Sequence, residues 1–166
     1  MRRTPHHLIV YFHYLFNEPI NMQTFEDRLL LQKRVYFLQE FGIPFGYSFG
    51  WYVRGPYSSE LARDGFESEP ISKLFHEKWQ DLSNSLPGIE GSDKEALEKA
   101  RAFFNKIRES GLSEERFLEL ASSLHFLKNT WFPGDYFKAA ELLRKLKPKF
   151  SISEIEVARE LLEKYL

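Results

Sequence analysis

Apolar residues recur at helical spacing along most of the chain, and breaking residues divide the pattern into short segments. Leu8, Phe12, Leu15 and Phe16 mark a first helix that ends before Pro19. Thr24 is a suitable N-cap with Glu26 and Asp27 behind it, and a second helix follows through Leu29, Leu30, Val35, Tyr36 and Leu38 to Gly42. Leu29, Leu30 and Leu31 place apolar groups on more than one face, so this helix is expected to be buried on two sides. The period then changes. Tyr47, Phe49 and Trp51 alternate with Ser48, Gly50 and Tyr52, which predicts a short strand with three rings on one face. Gly55-Pro56 stops that strand, and Ser58 or Ser59 caps the next helix with Glu60 in its first turn. An aromatic hairpin set between helices is how a wing is built onto a helix-turn-helix core.

Past the hairpin, the pattern predicts a short helix over 59–66, a break at 67–70 around Pro70, and a helix over 71–86 with Leu74, Phe75, Trp79 and Leu82 on one side. Residues 87–91 form the clearest loop. Ser92 and Glu95 then make a capping-box pattern before a helix whose core stripe is Leu97, Ala100, Phe103, Phe104 and Ile107. Ser113 caps a helix reaching about residue 127, with Phe117, Leu120, Ala121, Leu124 and Leu127 inward. After an aromatic turn at Trp131 and Phe132, Asp135 opens a helix over Phe137, Ala140, Leu143 and Leu146, which Pro148 ends. Ser153 and Glu156 form a second capping-box pattern for a terminal helix carrying Ile155, Ala158, Leu162 and Tyr165. The fold class expected is mainly α, with a winged-helix-like N-terminal half at 1–86 holding one short β-hairpin. A packed C-terminal helical bundle at 92–166 shares its core, as one domain.

Composition narrows the chemistry. The 166 residues include no cysteine, which removes disulfides, thiolate nucleophiles and cysteine zinc sites. The formal net charge of −1 lacks the basic excess of a dedicated nucleic-acid binder. Arg2 and Arg3 precede the apolar stretch 8–16, but His13 and Asn17 interrupt it and no small-residue cleavage site follows, so a cytoplasmic protein with no membrane role is expected.

No nucleophile elbow, phosphate-binding glycine loop, dinucleotide fingerprint or zinc-protease helix occurs. Neither an enzyme nor a cofactor is expected. His6 and His13 stand two turns apart, yet no carboxylate joins them at ligand spacing, so no metal site is expected. His76 and His125 lack a patterned partner and read as surface or half-buried imidazoles. Lys33 and Arg34 fall where a helix-turn-helix reader contacts phosphate, and with Arg54, Lys145 and Lys147 they form the candidate nucleic-acid set. A solvated face is the plainer account of the basic run 138–149, where five cations meet the single acid Glu141. Aromatic residues make up 16% of the chain, enough to leave rings over for an interface beyond the core. Trp51, Tyr52, Arg54, Tyr57 and Trp131 are the candidate partner-binding residues.

Leu31-Gln32-Lys33, then Val35, Tyr36 and Leu38, and then the block from Trp51 through Gly55-Pro56-Tyr57 to Leu61 resemble the YwgA-like family of bacterial and archaeal proteins. More distantly the blocks are similar to the Panacea or SocA-like antitoxin domain, in which an L-Q-K helix precedes an aromatic strand and a Y-G-P turn. Leu146 to Ser151 and the helix after it also resemble the YwgA-like pattern, whereas 67–115 lies outside the resemblance. Those relatives tend to have Tyr before Gly-Pro, and this chain has Arg54. The YwgA-like resemblance implies no agreed activity, and the antitoxin-domain one implies neutralisation of toxins by protein contact. The first expectation for function is therefore a non-enzymatic protein-interaction module, an adaptor or antitoxin-like regulator. A homodimer through the hairpin edge or the aromatic turn is compatible with it. The alternative is a nucleic-acid-binding winged-helix regulator.

Overall fold

The computed structural model describes residues 5–166; the N-terminal charge at Arg2 and Arg3 lies outside the described residues. The chain is mainly helical with one two-stranded antiparallel hairpin. In order come α1 (Pro5–Phe16), α2 (Phe25–Glu40), β1 (Gly50–Tyr52), β2 (Gly55–Tyr57), α3 (Ser59–Glu77), α4 (Trp79–Leu82), α5 (Lys94–Glu109), α6 (Glu114–Thr130), α7 (Tyr136–Leu146) and α8 (Ile152–Tyr165). No helix among the described residues is long and apolar enough to cross a membrane.

Helix α2 is the axis of the fold. Thr24 and Asp27 close a capping box at its start, and every residue from Leu31 to Leu38 is buried. It packs against α3, α5, α6 and β2, so no side of its middle two turns meets water. One buried cluster runs from α1 and α2 through α5 and α6 to α7 and α8. The stripe expected on α5 is the buried face observed: Leu97, Ala100, Phe103, Phe104 and Ile107.

Helix α3 departs from expectation. It continues through Pro70 instead of breaking at 67–70, and its buried face is Leu61, Asp64, Gly65, Ser68, Ser72 and Phe75. Pro70 removes one ladder bond, to the Phe66 carbonyl, but both residues are exposed. Tertiary bonds hold the helix on either side of it: Ser72 Oγ accepts from the Ile20 N–H at 2.7 Å, and Glu69 accepts from Gln23 Nε2 at 2.8 Å and from the Met22 N–H. A Cβ on Gly65 would lie 2.5 Å from Leu31 Cδ2, so glycine there permits the close approach of α3 to α2. Leu74 and Trp79, expected inward, are exposed as a result.

Smaller corrections follow from capping. The terminal helix is capped two residues earlier than expected, by a box of Ser151 with Glu154. Asp93, expected to lie inside a capping box, instead accepts a hydrogen bond from the Tyr11 hydroxyl, and its side chain makes no cap. In α7 the buried face is Tyr136, Ala139 and Leu143, which turns Phe137 outward under the Arg159 guanidinium at 5.1 Å.

Candidate functional site

The hairpin is short, and α2 fastens it from below. Alternation begins before the paired strands: Ile43, Phe45 and Tyr47 are buried while Pro44, Gly46 and Ser48 are exposed. Gln39 brackets Tyr47, its amide oxygen accepting from the Tyr47 N–H at 2.7 Å and its Nε2 donating to the Tyr47 carbonyl at 2.9 Å. Gln32, two turns earlier on α2, does the same at Ser58, with distances of 2.9 and 2.8 Å. Each side-chain amide supplies the donor and acceptor of a missing neighbouring strand. The hairpin pairs Gly50 with Tyr57, Trp51 with Pro56 and Tyr52 with Gly55. Gly55 and Pro56 thus form the second strand rather than ending the first. Opposite Trp51, Pro56 occupies the position whose backbone groups face away from the partner strand, so its missing N–H costs no ladder bond. Its carbonyl accepts instead from Lys33 Nζ at 2.7 Å. The resembling blocks at 31–33 and 51–61 are therefore joined to one another by Gln32 and Lys33.

These contacts place the candidate cations. Lys33 and Arg34 are each only 2% exposed. Arg34 lies against the Phe12 and Phe16 rings, at 5.4 and 4.2 Å from their centroids, and pairs with Glu18 and with Glu114, the latter at 3.0 Å. Neither side chain presents charge to a phosphate, which corrects their reading as nucleic-acid contacts. Lys147 is buried too, donating to the Val53 carbonyl at 2.6 Å and pairing with Glu119 at 3.4 Å. Of that candidate set, Arg54 and Lys145 are exposed.

Glu119, a buried carboxylate on α6, is the centre of a charge cluster that the sequence reading did not single out. Lys149 lies 2.7 Å away, Lys147 3.4 Å and Arg54 3.5 Å. Burial pushes Glu119 up, but the bonds and charges of Lys149 and Lys147 outweigh it and hold the carboxyl below its ordinary value. Burial lowers Lys33 to about 7, with the Lys147 charge adding to it and Glu119 opposing. Close by, the Ser123 hydroxyl is fully buried with no hydrogen-bond partner, and a Cβ built on Gly55 would fall 2.3 Å from its oxygen.

Between α2, the hairpin and α3 runs an apolar groove of about 420 Å³. Phe25, Leu29, Tyr52, Val53, Tyr57 and Phe66 supply much of its lining. Tyr52 is 55% exposed and Val53 87%, and Phe25 and Phe66 are about half exposed. The Tyr52 and Tyr57 rings meet edge to face at 5.1 Å. Arg54, with its side chain 51% exposed, reaches from the hairpin turn to lie 5.3 Å from the Phe25 ring. Among the described residues, the charged ones in the lining are Arg28, Lys33 and Arg54. Three of the five expected partner-binding residues, Tyr52, Arg54 and Tyr57, therefore share one groove. Trp51 instead packs against Phe126, and Trp131, at the far end of α6, lines none of it.

Of the histidines, His76 is half-buried as expected, whereas His125 is buried. His13 meets His76 with Nδ1 atoms 2.8 Å apart, stacked on Trp79 at 4.5 Å. Burial and the neighbouring His76 lower His13. His125 is buried and hydrogen-bonded to the Tyr36 hydroxyl at 2.8 Å, and burial lowers it to about 4. Among the described residues, no three His, Asp or Glu side chains are grouped to hold a metal ion. Compared with protein families, curated proteins and solved structures, the chain matches none.

Proposed function

We propose that this chain is a non-enzymatic protein-interaction module, an adaptor or antitoxin-like regulator whose partner binds across the hairpin turn and the groove beside it. The observation that carries the reading is the gathering of Phe25, Tyr52, Val53, Arg54 and Phe66 as half-exposed or more exposed side chains about one concavity. An exposed apolar patch of this kind is costly to leave in water, and rings beside an arginine are the side chains that contribute most at protein interfaces. The hairpin is fixed from below by Gln32, Gln39, Lys33 and Lys147, so little conformational freedom remains to be lost on binding. The resemblance of residues 31–33 and 51–61 to the antitoxin domain supports the same reading.

The test uses the whole chain as bait beside a Tyr52→Ala/Arg54→Ala variant. Both side chains are more than half exposed, so the variant is expected to unfold at nearly the wild-type temperature while its partner is lost. A partner retained at wild-type yield would place the interface elsewhere.

A further inference from the structure

The groove carries positive charge, from Arg54 and Arg28, that none of its described lining residues balances. Among the described residues, its lining contains Arg28, the buried Lys33 and Arg54 and no carboxylate. Behind it, Glu119 is the single acid in contact with Arg54, Lys147 and Lys149, and its charge also reaches Lys33. Arg54 is the least committed of these cations. Its distance of 3.5 Å to Glu119 is at the limit of a hydrogen bond, and its side chain is half exposed. Glu119 keeps Lys147 and Lys149 if Arg54 turns away, so the guanidinium can engage a new anion without stranding a buried carboxylate.

We propose that the groove is a binding site for an apolar monocarboxylate, its chain against Phe25, Leu29 and Phe66 and its carboxylate paired with Arg54. A volume of about 420 Å³, an apolar wall and a few convergent polar groups are the features of a small-ligand site. A single planar guanidinium fits the two oxygens of a carboxylate side by side. A dianion would bring a second charge to a groove whose other partly exposed cation, Arg28, is already bonded to backbone carbonyls. Arg28 is the secondary cation, partly occupied by its bonds to the Met22 and Gln23 carbonyls at 3.0 and 3.4 Å. The inference goes beyond the partner reading and does not rest on it, since it concerns the groove alone.

The test is calorimetric titration of the full chain with decanoate, decanol and decylamine, each below the concentration at which it aggregates. Decanoate is expected to bind at least about tenfold more tightly than decanol, the range of a charge-assisted pair, and decylamine more weakly than either. Arg54→Gln should bring decanoate down to the affinity of decanol and leave decanol unchanged. Phe66→Ala, at an exposed position, should weaken decanoate and decanol alike. Equal binding of the acid and the alcohol, a preference that persists in Arg54→Gln, or no binding of any of the three would overturn the proposal. Each of these outcomes would leave the partner experiment standing, because that experiment reads recovery of a protein and not occupancy by a small acid.

Discussion

Replacing Ser123 with alanine should stabilise the fold, which is unusual for the removal of a polar group from a packed helix. The hydroxyl is fully buried on α6 and has no partner, so the folded state carries its desolvation cost without a compensating bond. That cost is about 1–3 kcal/mol, and the space left by one oxygen offsets part of it, giving an expected gain of about 1 kcal/mol. The same atom controls what Gly55 tolerates. Gly55 has φ of +89°, where an alanine costs about 1–2 kcal/mol in backbone strain alone. Its new Cβ would also stand 2.3 Å from Ser123 Oγ, so Gly55→Ala should cost about 3 kcal/mol or more. In the Ser123→Ala background the nearest atoms become Ser123 Cβ at 3.5 Å and Lys33 Nζ at 3.6 Å, both ordinary contacts. The cost of Gly55→Ala should then fall to the backbone value, a coupling of about 1–2 kcal/mol. Urea unfolding of the four proteins measures all of these, with unchanged slopes as the check on two-state behaviour. A loss of stability in Ser123→Ala, or an identical cost of Gly55→Ala in both backgrounds, would refute the reasoning.

Two further outcomes follow from the buried polar groups. Gln32→Ala removes both partners of the buried Ser58 backbone and should destabilise by about 2–3 kcal/mol in urea melts, against about 1 kcal/mol for Gln39→Ala, whose site is only partly buried. Stability should also depend on pH through groups whose folded values are depressed. His125, at about 4 in the fold and ordinarily 6.5, is protonated first in the unfolded chain, so about 3 kcal/mol is lost as pH falls from 6.5 to 4. Lys33, at about 7 in the fold and ordinarily 10.5, gives the unfolded chain the extra proton between those values, so stability should rise as pH climbs from 7 towards 10. Thermal melts of wild type beside His125→Gln and Lys33→Met would show each slope and its loss.

What the sequence made legible was the part governed by hydrophobic period. The α5 stripe was readable because its five apolar residues lie on one face with charges opposite. The face of α3 was not, because Gly65, Ser68 and Ser72 pack by being small and hydrogen-bonded, which carries no hydropathic signal. Pro70 then looked like a break, when tertiary bonds from residues 20–23 hold the helix through it. Lys33 and Arg34 read as solvent-facing because charge usually is. The signal against that lay in their neighbours: apolar residues at 29–31 and 35–38 cover every direction around α2 and leave it no wet face. Glu119 carried a similar clue, standing among Phe117, Leu118, Leu120 and Ala121. Tyr52, Arg54 and Tyr57, singled out by composition and turn chemistry, line one groove. Phe25 and Phe66, which complete the groove with them, come from separate helices and meet only in the fold.

The central claim is that the hairpin and groove form a protein-binding face, and the salt dependence of partner recovery tests it most directly. The wild-type chain would be used as bait in lysate with and without nuclease, at low and high salt. One stoichiometric protein retained under both conditions is the expected result, since a ring-lined interface changes little with salt. Recovery of nucleic acid without nuclease that disappears at high salt, with no retained protein, would contradict it, because phosphate contacts release counterions and weaken steeply.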